Sequence, residues 1–182
     1  MKHPLPLALA PLAAFAFATA GATADPAAAP AAAFPNVTGK NLSGKEFALP
    51  AAFEGPLDLV FVAFERKQQG DVDSWKSFAD GLKTRYPRLR VYELPTLPRS
   101  ISFLRGFIDG GMRSGIPDAA ARDSTITLYV DKRAYERALQ IASEREIAVL
   151  LVKPSGEIVW RTTGRFDAAH EPQLDALLAE AK

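Results

Sequence analysis

The 182-residue sequence contains no cysteine. This absence excludes disulfide bonds, a thiolate nucleophile, thiolate-bound metals and a lipid-modified N-terminal cysteine. A domain without disulfides must be stabilised by its hydrophobic core, and a chain of about 150 residues is long enough to bury one. The side chains that carry the function are therefore not thiols.

The sequence is also poor in the other residues that mark metal and catalytic sites. Its two histidines, His3 and His170, and its two methionines, Met1 and Met112, form no ligand spacing for zinc or copper. It has no G-x-S-x-G motif, and its glycine-rich stretch at 109–115 follows a predicted helix instead of opening one, unlike a phosphate loop. We therefore expect no metal and no cofactor.

Residues 1–24 have the pattern of an export signal. Lys2 and His3 precede an apolar run at 4–20, and Ala22-Thr23-Ala24 fits the small-residue cleavage site before Asp25. A cut after Ala20 and retention of the run as a membrane anchor are the alternatives. We expect a periplasmic or secreted protein that is cleaved near Ala24-Asp25.

The rest of the chain divides into a linker and one domain. Residues 25–33 are rich in proline and alanine, which predicts a disordered linker, and residues 34–182 have the length of a single domain. Removal of residues 1–24 leaves 158 residues and removes Lys2. The remaining chain has 21 of the 22 basic residues and all 21 acidic residues, so its net charge is zero with histidine neutral. Such a neutral chain has no overall electrostatic attraction to nucleic acid, and we expect no nucleic-acid partner.

Apolar runs and helical repeats alternate along residues 34–182. Glycines at 39 and 44 predict a first hairpin, and an almost continuous apolar run predicts a buried central strand at 57–64. Further strands are predicted at 89–94, where Pro95 ends the strand, and at 125–130, 147–152 and 157–162. Helices are predicted from Asp71 or Asp73 to Tyr86, from Ile101 to near Gly110-Gly111, at 134–141, and around Leu174, Leu177 and Leu178.

This order predicts an α/β fold. Strands that alternate with helices form a central, mostly parallel sheet with helices on both faces, and the last two strands add an antiparallel C-terminal hairpin. We expect the strand that ends at Phe64 to lie beside the strand that starts at Ile147 and to run parallel to it.

The element order resembles the thioredoxin fold, in particular its peroxiredoxin-like branch. The resemblance spans residues 34–181 and rests on Phe34-Pro35 with the hairpin, "LDLVFVAF" before a helix, "TLYVDKRAYERALQI", and the closing hairpin "IAVLLVKPSGEIVWRTTG". A narrower resemblance, to a mitochondrial ATP synthase assembly factor family with this fold, rests on "ERKQQGDVDSW", "MRSGIP" and "GEIVWRTTG".

The sequence departs from the redox-active members of this fold at their reactive site. By resemblance, the thiol would lie near residues 65–68, which read Glu-Arg-Lys-Gln. Thioredoxins also place a cis-proline just before the strand that starts here at Ile147, but residues 143–146 contain no proline. The peroxiredoxin-like branch keeps an arginine that Arg145 matches by resemblance. Without a thiolate to activate, this arginine implies no peroxidase activity.

The resemblance therefore implies a non-redox, exported thioredoxin-fold protein that binds or helps to assemble other proteins. The partner would be a protein, and the narrower resemblance implies a membrane protein or a complex under assembly. The contact surface would be formed by the loops at 65–69, 143–146 and 164–166. The candidate contact residues are Glu65, Arg66, Lys67, Gln68, Arg145, Arg165 and Phe166.

Two alternatives stay open at the level of sequence. The first is an enzyme that uses a carboxylate such as Glu65, or His170, where the fold usually has its active site, and it requires these two side chains to come within hydrogen-bond reach. The second is a membrane-tethered domain that keeps residues 1–24 as its anchor.

Overall fold

The structure is a computed structural model that describes residues 33–181. The predicted signal at 1–24 and the predicted linker, apart from Ala33, lie outside the described residues. Ala33 itself forms an isolated β-bridge with Glu157, and the backbone N–H of Phe34 donates to the carbonyl of Gly156 at 2.8 Å. The chain is therefore tied to the last hairpin from the first described residues onward.

The described residues form seven strands and five α-helices. The strands are β1 (Val37–Asn41), β2 (Glu46–Leu49), β3 (Asp58–Ala63), β4 (Arg90–Pro98), β5 (Ile126–Val130), β6 (Ala148–Val152) and β7 (Ile158–Thr163). The helices are α1 (Gln69–Arg85), α2 (Arg105–Gly115), α3 (Ala119–Ser124), α4 (Lys132–Leu139) and α5 (Glu171–Glu180). Short 3-10 helices precede α1, α2 and α5 at Arg66–Gln68, Arg99–Leu104 and Ala168–His170.

The strands form one sheet with the order β2-β1-β5-β4-β3-β6-β7. The parallel part consists of its centre, β3, β4 and β5, whereas β1, β2, β6 and β7 each join their neighbours antiparallel. Together with the helices, this mixed sheet confirms the predicted α/β fold with its antiparallel C-terminal hairpin.

The predicted direction of one strand pair is wrong. β6 lies beside β3 as expected, but the pair is antiparallel, with Val62 opposite Ala148 and Asp58 opposite Val152. The carboxyl end of β3 therefore meets the amino end of β6. A parallel pair would have separated the loop after β3 from the loop before β6 by the length of the sheet, so the antiparallel pairing places these loops side by side.

Both faces of the sheet are covered, which explains the continuous apolar run in β3. Leu59 and Phe61 face the layer formed by α1 and α5, where Trp75 is fully buried. Val60 and Val62 face the opposite side, where the cluster contains Tyr135 and Leu139 of α4 and Phe53, which follows the first hairpin. Within residues 33–181, no helix combines the length and the apolar character needed to cross a bilayer.

Three predicted element boundaries are wrong. Helix α1 begins at Gln69, ahead of Asp71 and Asp73. β4 continues through Pro95, because its pairing with β3 ends at this residue while its pairing with β5 continues at residues 96–98. Helix α2 also runs through Gly110-Gly111 to Gly115, and the short helix α3 follows it without having been predicted.

Candidate functional site

The three predicted contact loops lie at one edge of the sheet. The amide Nε2 of Gln68 donates to the carbonyl of Glu144 at 2.7 Å and joins the loop at 65–68 to the loop at 143–146. The backbone N–H of Gly164 donates to the carbonyl of Ile147 at 2.9 Å, and Thr163 Oγ1 donates to Glu146 Oε2 at 3.0 Å. These bonds join the loop at 164–166 to the same group. We call residues 65–68, 143–146 and 164–166 together the three-loop surface.

Gln68 holds the turn between β3 and α1. Its Oε1 accepts the backbone N–H groups of Phe64 at 2.7 Å and Glu65 at 3.1 Å, which are exposed where β3 ends. Since its Nε2 donates to Glu144, one amide side chain satisfies three backbone groups from two loops. Gln68 is 1% exposed. The prediction that Gln68 belongs to the contact surface is therefore wrong, because its side chain is used inside the domain.

The neighbouring residues of this loop are exposed. Glu65 and Lys67 form an ion pair at 2.7 Å on the surface. Arg66 is exposed, and its guanidinium makes no hydrogen bond or ion pair within residues 33–181. Arg145, on the adjacent loop, is exposed in the same way, and only its backbone N–H is bonded, to Ser143 Oγ at 3.1 Å. Two unpaired cationic side chains thus flank the buried amide.

The third loop is packed against α1. Gly164 has a left-handed φ of 78°, which glycine adopts without strain, and its carbonyl accepts Trp75 Nε1–H at 3.0 Å. Arg165 pairs with Asp71 at 3.1 Å. Phe166 is half-buried and stacks on Phe78 with ring centroids 4.9 Å apart. The charge of Arg165 is therefore already paired within the domain, and only part of the Phe166 ring is accessible to a partner.

A cluster of acidic and basic side chains beside Gln68 was not predicted. Lys132 pairs with Glu144 at 2.5 Å, and its ammonium lies 5.2 Å from the centre of the Phe64 ring. The hydrogen bond with Glu144 raises the pKa of Glu136, and partial burial adds to this rise. Burial alone would raise the pKa of Glu144, but the hydrogen bonds from Glu136 and Lys132 outweigh it, and the pKa of Glu144 is lowered. This pairing fixes the loop at 143–146 to the start of α4.

His170 lies away from this cluster. Its Nε2 is 3.2 Å from Thr162 Oγ1, and its ring stacks on Trp75 with an interplanar angle of 8° and centroids 6.0 Å apart. Trp160 approaches it edge-on at 5.4 Å. Within residues 33–181, His170 and Glu65 share no hydrogen bond or ion pair, so the structure does not join the two side chains that the enzyme alternative would pair.

The described domain also offers no metal cluster at the three-loop surface. No group of three or more metal-binding side chains comes together within residues 33–181. A cleft of about 570 Å³ lies elsewhere, and none of the predicted contact residues lines it. Its walls come from the first hairpin, the end of β5 and Arg99. The three-loop surface is therefore an exposed, charged face that is separate from this cleft.

Comparison with solved structures decides the fold. The chain resembles a protein from Chlorobium tepidum assigned as the thiol:disulfide interchange protein DsbE, with 12% identity, a TM-score of 0.51, and coverage of 84% of this chain and 97% of that chain. The fold is thioredoxin-like. BsSco, a member of the Sco family of cytochrome c oxidase assembly proteins, resembles it at 14% identity and a TM-score of 0.52, covering 84% of this chain and 94% of that chain. No protein-family model and no curated protein matches the chain.

A third thioredoxin-like structure extends this likeness. The exposed lipoprotein thioredoxin from Streptococcus pneumoniae is 10% identical, with a TM-score of 0.52, over 80% of this chain and 99% of that chain. At such low identity the likeness concerns the fold alone. The sequence of this thioredoxin-like chain contains no cysteine, so it lacks the thiol that thiol-disulfide chemistry requires.

Proposed function

We propose that this chain is a non-redox, exported thioredoxin-like protein that binds or helps to assemble other proteins through the three-loop surface. The observation that carries the proposal is the state of the site after β3. No thiol is present in the sequence, and Gln68 fills the turn with hydrogen bonds to both neighbouring loops. Gln68, in the segment where redox-active members of the fold have their thiol, therefore has a structural role.

The charges around Gln68 support contact with an acidic segment of a partner. Arg66 and Arg145 are exposed and have no partner within residues 33–181. An arginine binds a carboxylate through two parallel hydrogen bonds, so unpaired arginines on a fixed backbone suit recognition of Asp or Glu side chains. The buried amide keeps the backbone of this turn in one conformation, which lowers the entropy cost of binding.

The relatives favour one class of partner. BsSco is described as belonging to a family of cytochrome c oxidase assembly proteins, so one protein of this fold is named for a role in assembly. The narrower resemblance of the sequence, to an ATP synthase assembly factor family, favours the same class. We therefore infer a membrane protein or a complex under assembly as the partner. This step is by analogy of fold.

The experiment is site-specific photocrosslinking in cells that produce the full chain. A photoreactive residue replaces Lys67, which is exposed, because Gln68 is buried and would report only on the interior of the domain. We expect one crosslinked protein whose yield falls at least tenfold when Arg66 and Arg145 are both changed to Glu, since each lost charge-assisted pair is worth about 1.5–3 kcal/mol.

The matched control reverses two other exposed cationic residues, Lys76 and Arg88, which lie outside the three loops. This control variant carries the same change in net charge, so it should leave the crosslink unchanged. Equal loss in both variants, or no loss in either, would show that the three-loop surface does not bind the captured protein. The predicted export is tested separately by N-terminal sequencing, which should find Asp25 as the first residue, whereas a retained anchor would leave residues 1–24 in place.

A further inference from the structure

Three large apolar side chains are exposed in one short segment. Phe103 is 80% exposed, Phe107 is 84% exposed and Leu104 is 41% exposed, and these are the exposed large apolar residues of the described chain. The 3-10 helix Arg99–Leu104 leads directly into α2, so Phe103 and Phe107, four residues apart, lie on the same side of a helical segment. Contiguous exposed apolar side chains of this kind mark an interaction surface.

The charges of this segment have a single sign on its exposed side. Residues 99–115 contain the three arginines Arg99, Arg105 and Arg113 and one acidic residue, Asp109. Asp109 is buried and accepts the hydroxyl of Tyr129 at 3.0 Å, so it faces the sheet. The guanidinium of Arg105 lies 4.8 Å from the centre of the Tyr129 ring, on the side of the helix that carries Asp109, and it forms no ion pair within residues 33–181. The exposed phenylalanines therefore lie on the outer side of a segment whose three arginines are exposed and whose single acidic residue is buried.

Helix α2 is attached to the domain by few contacts. Asp109 is its one buried residue, and Arg113 Nε donates to the carbonyl of Leu42 at 2.7 Å. Four of its eleven residues are glycines, and a Cβ at any of these four would meet no other atom within 4 Å. These glycines therefore serve no close packing inside the domain. Since glycine weakens a helix, α2 depends on the contacts made by Asp109 and Arg113 and has an unpartnered outer face.

We propose that residues 99–115 are a peripheral membrane-binding segment, which inserts Phe103 and Phe107 into the surface of a bilayer that contains anionic lipid. A helical segment with aromatic residues on one side and exposed arginines on the other binds at the interface between headgroups and acyl chains. Anionic headgroups complement the three arginines, whereas a second copy of this chain would bring like charges together in a symmetric contact.

The test uses the full chain with the substitution Phe103→Trp. The native tryptophans, Trp75 and Trp160, are buried, so the new indole supplies the exposed emission. With vesicles of equal parts phosphatidylglycerol and phosphatidylcholine, we expect its emission to shift to shorter wavelength and to be quenched by brominated acyl chains. The matched control is Ser155→Trp, in the exposed β6–β7 turn at the opposite end of the sheet, and it should show neither effect. This readout is local, so binding by residues 1–24 cannot produce it.

Two further variants measure what the insertion depends on. Phe103→Ser with Phe107→Ser should weaken vesicle binding about 100-fold by removing two buried aromatic side chains. Arg99→Gln with Arg105→Gln should weaken it roughly 30-fold on anionic vesicles and change little on pure phosphatidylcholine. The mutated phenylalanines are exposed, so thermal unfolding should be unchanged, which separates loss of binding from loss of folding.

Three outcomes would overturn the proposal. The first is an emission of the Phe103→Trp variant that the anionic vesicles leave unchanged. The second is vesicle binding that persists in the double Ser variant, because another part of the chain would then bind the lipid. The third is a dimer in sedimentation that the double Ser variant dissociates, with no response to vesicles, because the segment would then contact a second copy.

Discussion

The buried carboxyl of Asp58 makes the stability of this domain dependent on pH. Asp58 is 0% exposed at the start of β3. Its Oδ1 accepts the backbone N–H of Gly55 at 3.0 Å, while Oδ2 has no hydrogen-bond partner among the described residues. Burial raises the pKa of Asp58 to about 7, although the Gly55 hydrogen bond and the charge of Arg90 act in the opposite direction.

The sign of the effect follows from proton linkage. In the unfolded chain this carboxyl ionises near its usual pKa of 3.8, and in the folded domain it ionises near 7. Between these values the folded state holds a proton that the unfolded state has released, so the free energy of unfolding falls as pH rises. One pKa unit is worth about 1.4 kcal/mol, so the loss approaches about 4 kcal/mol once the pH exceeds 7. The stabilising contribution is complete below pH 3.8.

The measurement is equilibrium denaturation in urea between about pH 4 and about pH 8, followed by the fluorescence of the buried Trp75. The variant Asp58→Asn keeps an acceptor for Gly55 but does not titrate. Burial also raises the pKa of Glu93, so the wild type alone would not isolate Asp58. The difference in unfolding free energy between the variant and the wild type should change by about 4 kcal/mol across this range, in favour of the variant at high pH. Parallel pH profiles would refute the reasoning.

Four further predictions concern the site, the packing and the activity. Gln68→Ala should lower the free energy of unfolding by about 3 kcal/mol in urea denaturation, because three buried or partly buried backbone groups lose their partner. The control Arg66→Ala, at an exposed side chain without a partner within residues 33–181, should change it little. Gly81→Ala should raise the midpoint of thermal unfolding, because Gly81 lies inside α1 and a Cβ there would meet open space. We expect the free energy of unfolding to increase by about 0.5–1 kcal/mol. Gly55→Ala should lower the free energy of unfolding by about 2 kcal/mol, because its Cβ would lie 2.7 Å from a backbone oxygen. Equal effects of Gly81→Ala and Gly55→Ala on stability would contradict this interpretation. The purified protein should show no disulfide reductase or peroxidase turnover, and thiol-type turnover in the insulin reduction assay would exclude the non-redox proposal.

Local sequence patterns predict the order of the strands and helices, but they do not predict the direction of every strand or the residue at which every element ends. The apolar run in β3 correctly indicates a strand buried on both faces, but such a run carries no information about which way its neighbour points. The direction of β6 depends on the connection before it. Helix α4 has eight residues and spans only about 12 Å, and Glu144 then lies beside Lys132 at the start of α4. The chain has thus returned to the edge that it left, which makes β6 antiparallel.

The candidate site is predicted in part for the same reason. The positions of the three loops relative to each other follow from the fold resemblance, but the side-chain directions within a loop depend on tertiary contacts. Gln68 reads as one more polar residue in a polar segment, and only the adjacent carbonyl of Glu144 explains why it is buried. Phe107 falls within a predicted helix, and its exposure depends on where α2 meets the sheet. The buried carboxyl of Asp58 could have been predicted, because Asp58 is a single acidic residue within an apolar strand.

The two proposed surfaces begin at the same edge of the sheet, and this bears on how they would act together. β3 and β4 are parallel neighbours, so the turn at 65–68 and the segment that starts at Arg99 both leave the sheet at its carboxyl edge. A domain held on a bilayer by Phe103 and Phe107 would therefore be attached through the same edge of the sheet that carries Arg66. A partner embedded in the membrane, as proposed for the three-loop surface, could be reached from a domain attached in this way. The two proposals are therefore compatible in geometry while resting on different residues, and each can fail without the other.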